Sequence, residues 1–284
     1  MMTAIDIEHD QTGTAPRDAQ PAHVCHAAPL VELDRVAVRR GDRTILDGLS
    51  LRLYPRSITA IVGRSGVGKT TLMHTLNGLI TPVAGSLRAA DVGSLQDAAA
   101  WREHRRNTAT IFQEHALIDR LSALDNVLLG LADLRHPLSL KPWPRALQVR
   151  AAQALADVGL LHRAHARVAH LSGGERQRVG VARAFVREAR LLLGDEPFTA
   201  VDPVLAGQLG DWLRAAAERR GATVVIVMHQ IDAARALADR IVGLRNGAIV
   251  FDGPSTAFDA AAQARVFAPA IDASPFTSSP QGLA

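Results

Sequence analysis

The sequence predicts an α/β fold: a parallel sheet covered by helices, preceded by an antiparallel β-subdomain and interrupted by an inserted α-helical subdomain. Three observations indicate this fold. From residue 171 onward, short apolar runs alternate with amphipathic segments, as in a parallel sheet with helical crossovers. Residues 30–53 alternate apolar and polar side chains around Gly41-Asp42, which favours an antiparallel pair. Residues 96–169 have mainly helical patterns, which indicates the insertion.

The elements are predicted in a definite order. The N-terminal half should form strands at 30–39, 44–53 and 57–62, a helix at 69–79, a strand at 108–112, and helices at 123–131 and 144–158. The last two helices are separated by the Pro-rich loop 141–144, because proline disrupts a continuing helix. The C-terminal half should form helices at 175–187, 203–219 and 231–238, and strands at 190–194, 223–228, 240–244 and 248–251. Asn246-Gly247 is typical of the turn between the last two strands.

The folded part is predicted to be one domain with two polar ends. Residues 1–28 have the composition of a disordered leader, and residues 267–284, with three prolines, that of a flexible tail. Residues 29–266 form the domain, with the helical subdomain at about 96–170. A chain of 284 residues that is 48% apolar can bury a sizeable core.

Composition excludes several classes of protein. The net charge is +4 and the basic residues are spread out, so no nucleic-acid partner is expected. Cys25 is the single cysteine, so an intrachain disulfide is excluded and a reducing compartment is favoured. No segment reaches 18 apolar residues, so we expect any work at a membrane to need a separate spanning subunit.

A phosphate-binding loop (P-loop) is predicted where the third strand meets the first helix. Glycines let its backbone wrap around phosphate oxygens, and the helix N-terminus adds partial positive charge. We expect Lys69 to reach the β- and γ-phosphates, the Thr70 hydroxyl to coordinate Mg²⁺, and Thr71 to contact the α-phosphate. The loop comprises Gly63, Arg64, Ser65, Gly66, Val67, Gly68, Lys69 and Thr70.

Two adjacent carboxylates end the apolar strand at 190–194. Neighbouring side chains on an extended strand point to opposite sides, so Asp195 and Glu196 can do different work. We expect Asp195 to hold Mg²⁺ through water and Glu196 to act as general base on the attacking water.

A second anion site is predicted at Ser172-Gly173-Gly174, where a hydroxyl, glycine N–H groups and a helix N-terminus coincide. One molecule needs only one cradle for the γ-phosphate, so the second one makes sense if it closes over the nucleotide of a partner copy. The alternative interpretation is a capped helix start, for which Ser-Gly-Gly-Glu would also serve.

Together these motifs resemble those of ABC-type ATP-binding subunits, over about residues 30–260. The resemblance implies a P-loop NTPase (RecA-like) core with ATP and Mg²⁺ as cofactors. Gln113 matches the Q-loop glutamine that senses Mg²⁺ and water and faces a permease. His229 matches the switch histidine that contacts the γ-phosphate and orients Glu196, and Asp202 matches the D-loop aspartate at the dimer interface.

Two positions depart from the family pattern. The aromatic residue that usually stacks on adenine is missing, and Arg40 occupies its place, where the guanidinium plane could stack on the base. Weaker base selectivity is then expected. Glu175 stands where the signature usually has glutamine, and a carboxylate is favourable in the first turn of a helix.

Three segments bear on the cargo. Residues 107–130, 229–232 and 240–247 resemble phosphonate-import ATP-binding subunits. The resemblance implies that these residues lie where a permease's coupling helix docks. The resemblance also implies a peripheral ATPase on the cytoplasmic face of the inner membrane that powers uptake of phosphonate or a related phosphorus oxyanion. Its partners are transmembrane permease subunits, a periplasmic substrate-binding protein acting through the permease, and a second copy of itself as a head-to-tail dimer.

Alternatives remain open at this point. The chain could serve another small-solute ABC transporter, or a soluble ABC ATPase accessory to phosphonate breakdown of the carbon–phosphorus lyase type, whose motifs are the same. A plain P-loop kinase or GTPase leaves Ser172-Gly173-Gly174 and His229 unexplained.

Overall fold

The computed structural model describes residues 28–112, 116–134, 141–199 and 201–268. They form two sheets flanked by helices, which confirms the predicted α/β fold class. The predicted leader and tail lie almost wholly outside the described residues. Within the described residues, no helix combines the length and the apolar character needed to cross a bilayer.

The smaller sheet is antiparallel, with the strand order β2-β1-β4-β5. Its first two strands realise the predicted hairpin, and Arg40 pairs with Arg43 across the turn. The other two were not predicted from the sequence. The strands are β1 Val31–Arg40, β2 Arg43–Leu53, β4 Ala84–Ala89 and β5 Gly93–Ser94.

The larger sheet has the order β10-β9-β3-β8-β7-β6, and only β10 is antiparallel to its neighbour. Strands β3 and β8 are buried along their whole length, as expected in the middle of a parallel sheet. The strands are β3 Ile58–Val62, β6 Thr108–Ile111, β7 Leu191–Asp195, β8 Thr223–Val227, β9 Arg240–Arg245 and β10 Ala248–Pro254.

Eight α-helices cover the sheets in the described part of the chain. They are α1 Lys69–Leu76, α2 Ala98–Arg106, α3 Ala123–Leu128, α4 Arg145–Asp157, α5 Gly173–Phe185, α6 Pro203–Arg219, α7 Ile231–Leu237 and α8 Ala260–Phe267. Helices α3, α4 and α5 pack on one another and share one aliphatic core with the parallel sheet. Helices α3 and α4 lie within the predicted helical subdomain, whereas α5 follows it in the sequence.

Helix α2 packs against α1 and the antiparallel sheet, although the predicted helical subdomain begins at about residue 96. The His104 ring lies 2.7 Å from the Leu76 carbonyl of α1, and Trp101 is buried with the antiparallel sheet. Burial lowers the pKa of His104. Helix α2 therefore supports the C-terminal end of α1, the helix that the P-loop opens.

Candidate functional site

The site lies at the carboxyl edge of the parallel sheet, where three neighbouring strands end together. Strand β8 lies between β3 and β7, and its Val227 pairs with Ile61 on one side and Asp195 on the other. The P-loop follows β3, His229 follows β8, and Glu196 follows β7. Ligands of such sheets bind outside the carboxyl ends of the strands.

Two glycines explain the shape of the P-loop. Gly63 has φ 154°, and a Cβ there would lie 2.4 Å from the Leu244 carbonyl oxygen, so only glycine fits. Gly66 has φ 79° and faces open space, which leaves its backbone accessible to a ligand. The loop then enters α1 at Lys69, so that N–H groups of the first helical turn are directed at the same space.

Lys69 is drawn into the loop that it terminates. Its side chain is buried, and Nζ donates hydrogen bonds of 2.9 Å to the carbonyls of Gly63 and Arg64. Burial lowers the pKa of Lys69, while Glu196 and Asp195 oppose that shift. The ammonium is thereby held at the mouth of the P-loop, where it can meet phosphate oxygens.

Asp195 ends β7 with a buried carboxylate oxygen, Oδ1, that has no hydrogen-bond partner. Burial raises the pKa of Asp195, and Glu196 raises it further, whereas His74, Thr70 and Lys69 lower it. An orphaned carboxylate oxygen close to a threonine hydroxyl fits Mg²⁺, which binds through one or two protein oxygens plus substrate phosphates. Within the described residues, no cluster of three or more His, Cys, Asp or Glu could hold a metal by itself.

Glu196 does not continue the strand, and here the expected alternation of side chains is wrong. Its φ is 51°, a left-handed conformation, so the turn after β7 directs the carboxylate. Glu196 Oε1 lies 2.5 Å from Nε2 of His229, and Oε2 accepts a hydrogen bond of 3.3 Å from the Thr199 hydroxyl. Glu196 and His229 line a cavity of about 440 Å³. The carboxylate is therefore held by a histidine and open to a cavity that can admit water.

Ser172 caps α5 in a complete capping box. Its hydroxyl accepts from the Glu175 N–H at 3.2 Å, and Glu175 Oε2 accepts from the Ser172 N–H at 2.8 Å. This bond holds the pKa of Glu175 below its usual value. A Cβ added at Gly173 would meet nothing within 4 Å, so the helix start faces open space. The capped-helix interpretation is thus confirmed, and the backbone at Gly173 stays accessible from outside.

Of the remaining predicted site residues, Asp202 lies at the start of α6. The Asp202 carboxylate caps α6, accepting from the N–H groups of Val204 and Leu205 at 3.0 and 2.9 Å. Gln113 lies outside the described residues.

The predicted base-stacking residue is placed apart from the nearest cleft. A cleft of about 370 Å³ beside the P-loop is lined by Arg43, Thr44 and Ile45 together with residues 64–67 and 245–247, whereas the exposed Arg40 is not part of this lining. The stacking role of Arg40 stays a prediction.

Sequence reasoning missed two residues that hold the site together. Thr199 bonds Glu196 through its hydroxyl, and its N–H donates to the Glu196 carbonyl at 3.1 Å. Gln177, on α5, donates from Nε2 to the Pro197 carbonyl at 2.6 Å. A polar side chain on the buried face of α5 was the available signal for Gln177, since buried polar groups need partners.

Comparisons with known proteins agree with this geometry. A family model described as "ABC transporter" matches residues 46–199, more than half of the chain. The phosphonates import ATP-binding protein PhnC 2 of Rhodopseudomonas palustris is 58% identical over 238 residues, covering 84% of each chain. The phosphite import ATP-binding protein PxtA of Stutzerimonas stutzeri is 42% identical over 241 residues, covering 84% of this chain and 87% of its own.

Solved structures show the same fold. The ATP-binding cassette MJ0796, in a dimeric post-hydrolysis state bound to ADP and Pi, superposes with a TM-score of 0.70. It is 28% identical, and the match covers 79% of this chain and 98% of that one. The family match, the relatives and the arrangement of P-loop, carboxylates and histidine lead to one conclusion: this chain belongs to the ABC transporter family, as an ATP-binding subunit.

Proposed function

We propose that this chain hydrolyses ATP to power import of a phosphonate through a separate membrane permease. One observation carries the ATPase part: Lys69 of the P-loop, the orphaned Asp195 oxygen and the Glu196–His229 pair meet at one sheet edge. Triphosphate hydrolysis requires a cation that binds phosphate, a carboxylate that binds the metal, and a general base that is fixed in position.

Nucleotide binding falls to the P-loop and the first turn of α1. Backbone N–H groups of residues 63–71 receive the phosphates, and Lys69 exchanges its two carbonyl partners for β- and γ-phosphate oxygens. Thr70 and Asp195 would hold Mg²⁺, with Gln113 as a further ligand. When bound, that ion neutralises the charge that develops on the phosphates. Base recognition falls to Arg40 or to the neighbouring cleft.

Glu196 accepts a proton from the attacking water, and His229 fixes the direction of its carboxylate. The 2.5 Å contact to His229 Nε2 leaves the second oxygen, Oε2, with only the longer Thr199 bond. Oε2 is thus the better-placed acceptor for the proton of water. When the γ-phosphate leaves, His229 and Lys69 lose their contacts with it, and the nucleotide-bound conformation loses its advantage.

Each working pocket is shared between two copies in a head-to-tail dimer. The open helix start at Ser172, Gly173 and Gly174 covers the γ-phosphate that the partner's P-loop holds, with Asp202 at the interface. Dimeric MJ0796, with ADP and Pi bound, supports this arrangement. ATP favours the closed dimer and hydrolysis reopens it, which drives the permease between its two states.

The cargo follows from the relatives. The 58% identity to a phosphonates import ATP-binding protein extends over 84% of the chain, which supports phosphonate as the cargo. We place the protein on the cytoplasmic face of the inner membrane, with a periplasmic substrate-binding protein supplying the permease. Phosphite is the second candidate cargo, because the 42% identical PxtA is a phosphite import subunit.

Growth and methylphosphonate uptake in a strain that lacks the gene for this chain test this proposal. The strain, complemented with the wild-type chain, should grow on methylphosphonate as sole phosphorus source, and the Glu196→Gln chain should not restore growth. Growth on phosphate should be unaffected in every strain. A defect confined to phosphite would establish the second cargo. Lost growth with undiminished uptake of labelled methylphosphonate would contradict import and favour a soluble accessory to phosphonate breakdown.

A further inference from the structure

Glu196 is held in a conformation that its own backbone disfavours. Its φ of 51° lies in the left-handed region, which a non-glycine residue keeps only when its surroundings enforce it. The position of its carboxylate therefore depends on what holds the turn after β7.

Two of the contacts on this turn are local to the site. The Thr199 N–H closes the turn onto the Glu196 carbonyl at 3.1 Å, and His229 meets the carboxylate at 2.5 Å. Both come from residues that lie at the same sheet edge. They can keep Glu196 in place, but they do not link it to a residue outside this sheet edge.

The third contact comes from a different layer. Gln177, in α5, donates from Nε2 to the carbonyl of Pro197, the residue directly after Glu196, at 2.6 Å. Only 8% of Gln177 is exposed, so water does not compete for this bond. A Cβ at Gly194 would lie 3.1 Å from Pro197 Cγ, so the proline ring is also packed closely on β7. Movement of the Pro197 carbonyl therefore shifts the backbone at Glu196.

Gln177 lies near the start of α5, within two turns of the capping residue Ser172. The capping box makes this first part of the helix rigid, because Ser172 and Glu175 bond each other reciprocally. A displacement of the helix start is consequently transmitted to Gln177 and from there to Pro197.

We propose that Gln177 is a positioning residue that couples the partner's nucleotide, at the start of α5, to the general base of its own copy. The inference rests on the proposed head-to-tail dimer, in which Ser172 and Gly173 meet the nucleotide of the partner. Binding there sets the position of α5, and the Gln177–Pro197 bond passes that position to Glu196. Each site thus becomes competent when the other is filled.

Replacing Gln177 with methionine tests this coupling, since methionine keeps the length but donates no hydrogen bond. Gln148 provides the control: it donates from Nε2 to the Trp143 carbonyl at 2.7 Å and lies on α4, which carries none of the predicted site residues. With the full chain and MgATP, Gln177→Met should lower kcat by about tenfold to a hundredfold, the size of effect that misplacing a catalytic group produces. KM should stay nearly constant, and Gln148→Met should match the wild type.

A second variant keeps the test decisive if the methionine variant does not fold. In Gln177→Glu, a protonated carboxyl can donate to Pro197 and an ionised one cannot. The ratio of variant to wild-type kcat should therefore fall as pH rises. A ratio independent of pH, or a Gln177→Met enzyme with wild-type kcat, overturns the coupling.

A double-mutant cycle separates this inference from the proposed function. If the two residues act in one chain of contacts, Ser172→Ala should cost less in the Gln177→Met background than in the wild type. Strictly additive losses overturn the coupling while leaving the ATPase intact. Failure of the proposed function is a different result: a wild-type chain that does not hydrolyse ATP at all.

Discussion

Replacing Glu196 with glutamine tests the assignment of the general base. The change preserves shape and keeps an oxygen that can accept from His229 Nε2, now 2.5 Å from Glu196 Oε1, so binding and folding should survive. It removes the basic oxygen that takes the proton from water. General-base catalysis contributes about 10²- to 10⁴-fold, which corresponds to about 3–5 kcal/mol of barrier.

Phosphate release by the purified chain and binding of a fluorescent ATP analogue measure the two effects separately. We expect turnover to fall by at least about a hundredfold, ATP affinity to be kept, and an ATP-dependent dimer to accumulate because hydrolysis no longer reopens it. Glu188→Gln is the matched control, since Glu188 also has a left-handed backbone, φ 53°, but lies on the surface with Arg150 at 3.9 Å. A folded Glu196→Gln chain with near wild-type turnover would refute the assignment.

Three further predictions concern binding and stability. Lys69→Ala should weaken ATP binding by about tenfold to a hundredfold, because charge-assisted hydrogen bonds are lost. Lys141→Ala, at the only other lysine, should leave ATP binding unchanged. Isothermal titration calorimetry measures both affinities. Asp202→Ala removes the cap of α6 and should lower the free energy of unfolding by about 1 kcal/mol, whereas Asp202→Asn should be nearly neutral in thermal denaturation. Burial lowers the pKa of His104 in the folded state from the usual histidine value of 6.5. Just below pH 6.5, the unfolded state therefore binds more protons than the folded state. Stability should therefore decline as pH falls below that value, and His104→Gln should remove this part of the pH dependence in urea titrations.

The parts of the site that depend on local sequence were predictable. Strand β3, the P-loop and α1 follow one another without interruption, so glycine spacing and an apolar run were sufficient. The same holds for Asp195, which ends an apolar strand, and for the Ser172 cap, whose partner Glu175 is three residues away. In each case the interactions that define the element join neighbours in the chain.

Features set by distant contacts were not predictable. Strands β4 and β5 are short, and β4 is fixed by pairing with β1 about fifty residues earlier. The left-handed backbone of Glu196 was missed because strand alternation was extended one residue beyond β7. The bond from Gln177 to Pro197 spans 20 residues, and only the packing of α5 on the turn brings them together.

The packing of α2 is a fourth such feature. Residues 96–169 were predicted to be mainly helical, but the side on which α2 packs depends on the bond between His104 and Leu76 and on the close contact of Trp101 with Gly78. Neither contact leaves a periodic signal in the sequence.

Cross-linking tests the shared pocket most directly, because it reports whether Ser172 of one copy lies close to the P-loop of another. In a Cys25→Ser, Glu196→Gln background, one chain carries Ser65→Cys and a second, distinguished by a size tag, carries Ser172→Cys. Each chain then has a single cysteine, so a short bismaleimide can join these two positions only between copies. The shared-pocket account predicts a mixed cross-linked dimer that forms with ATP and not without it, and none when Glu188→Cys replaces Ser172→Cys. Absence of that dimer, at ATP concentrations that saturate binding, would contradict the account.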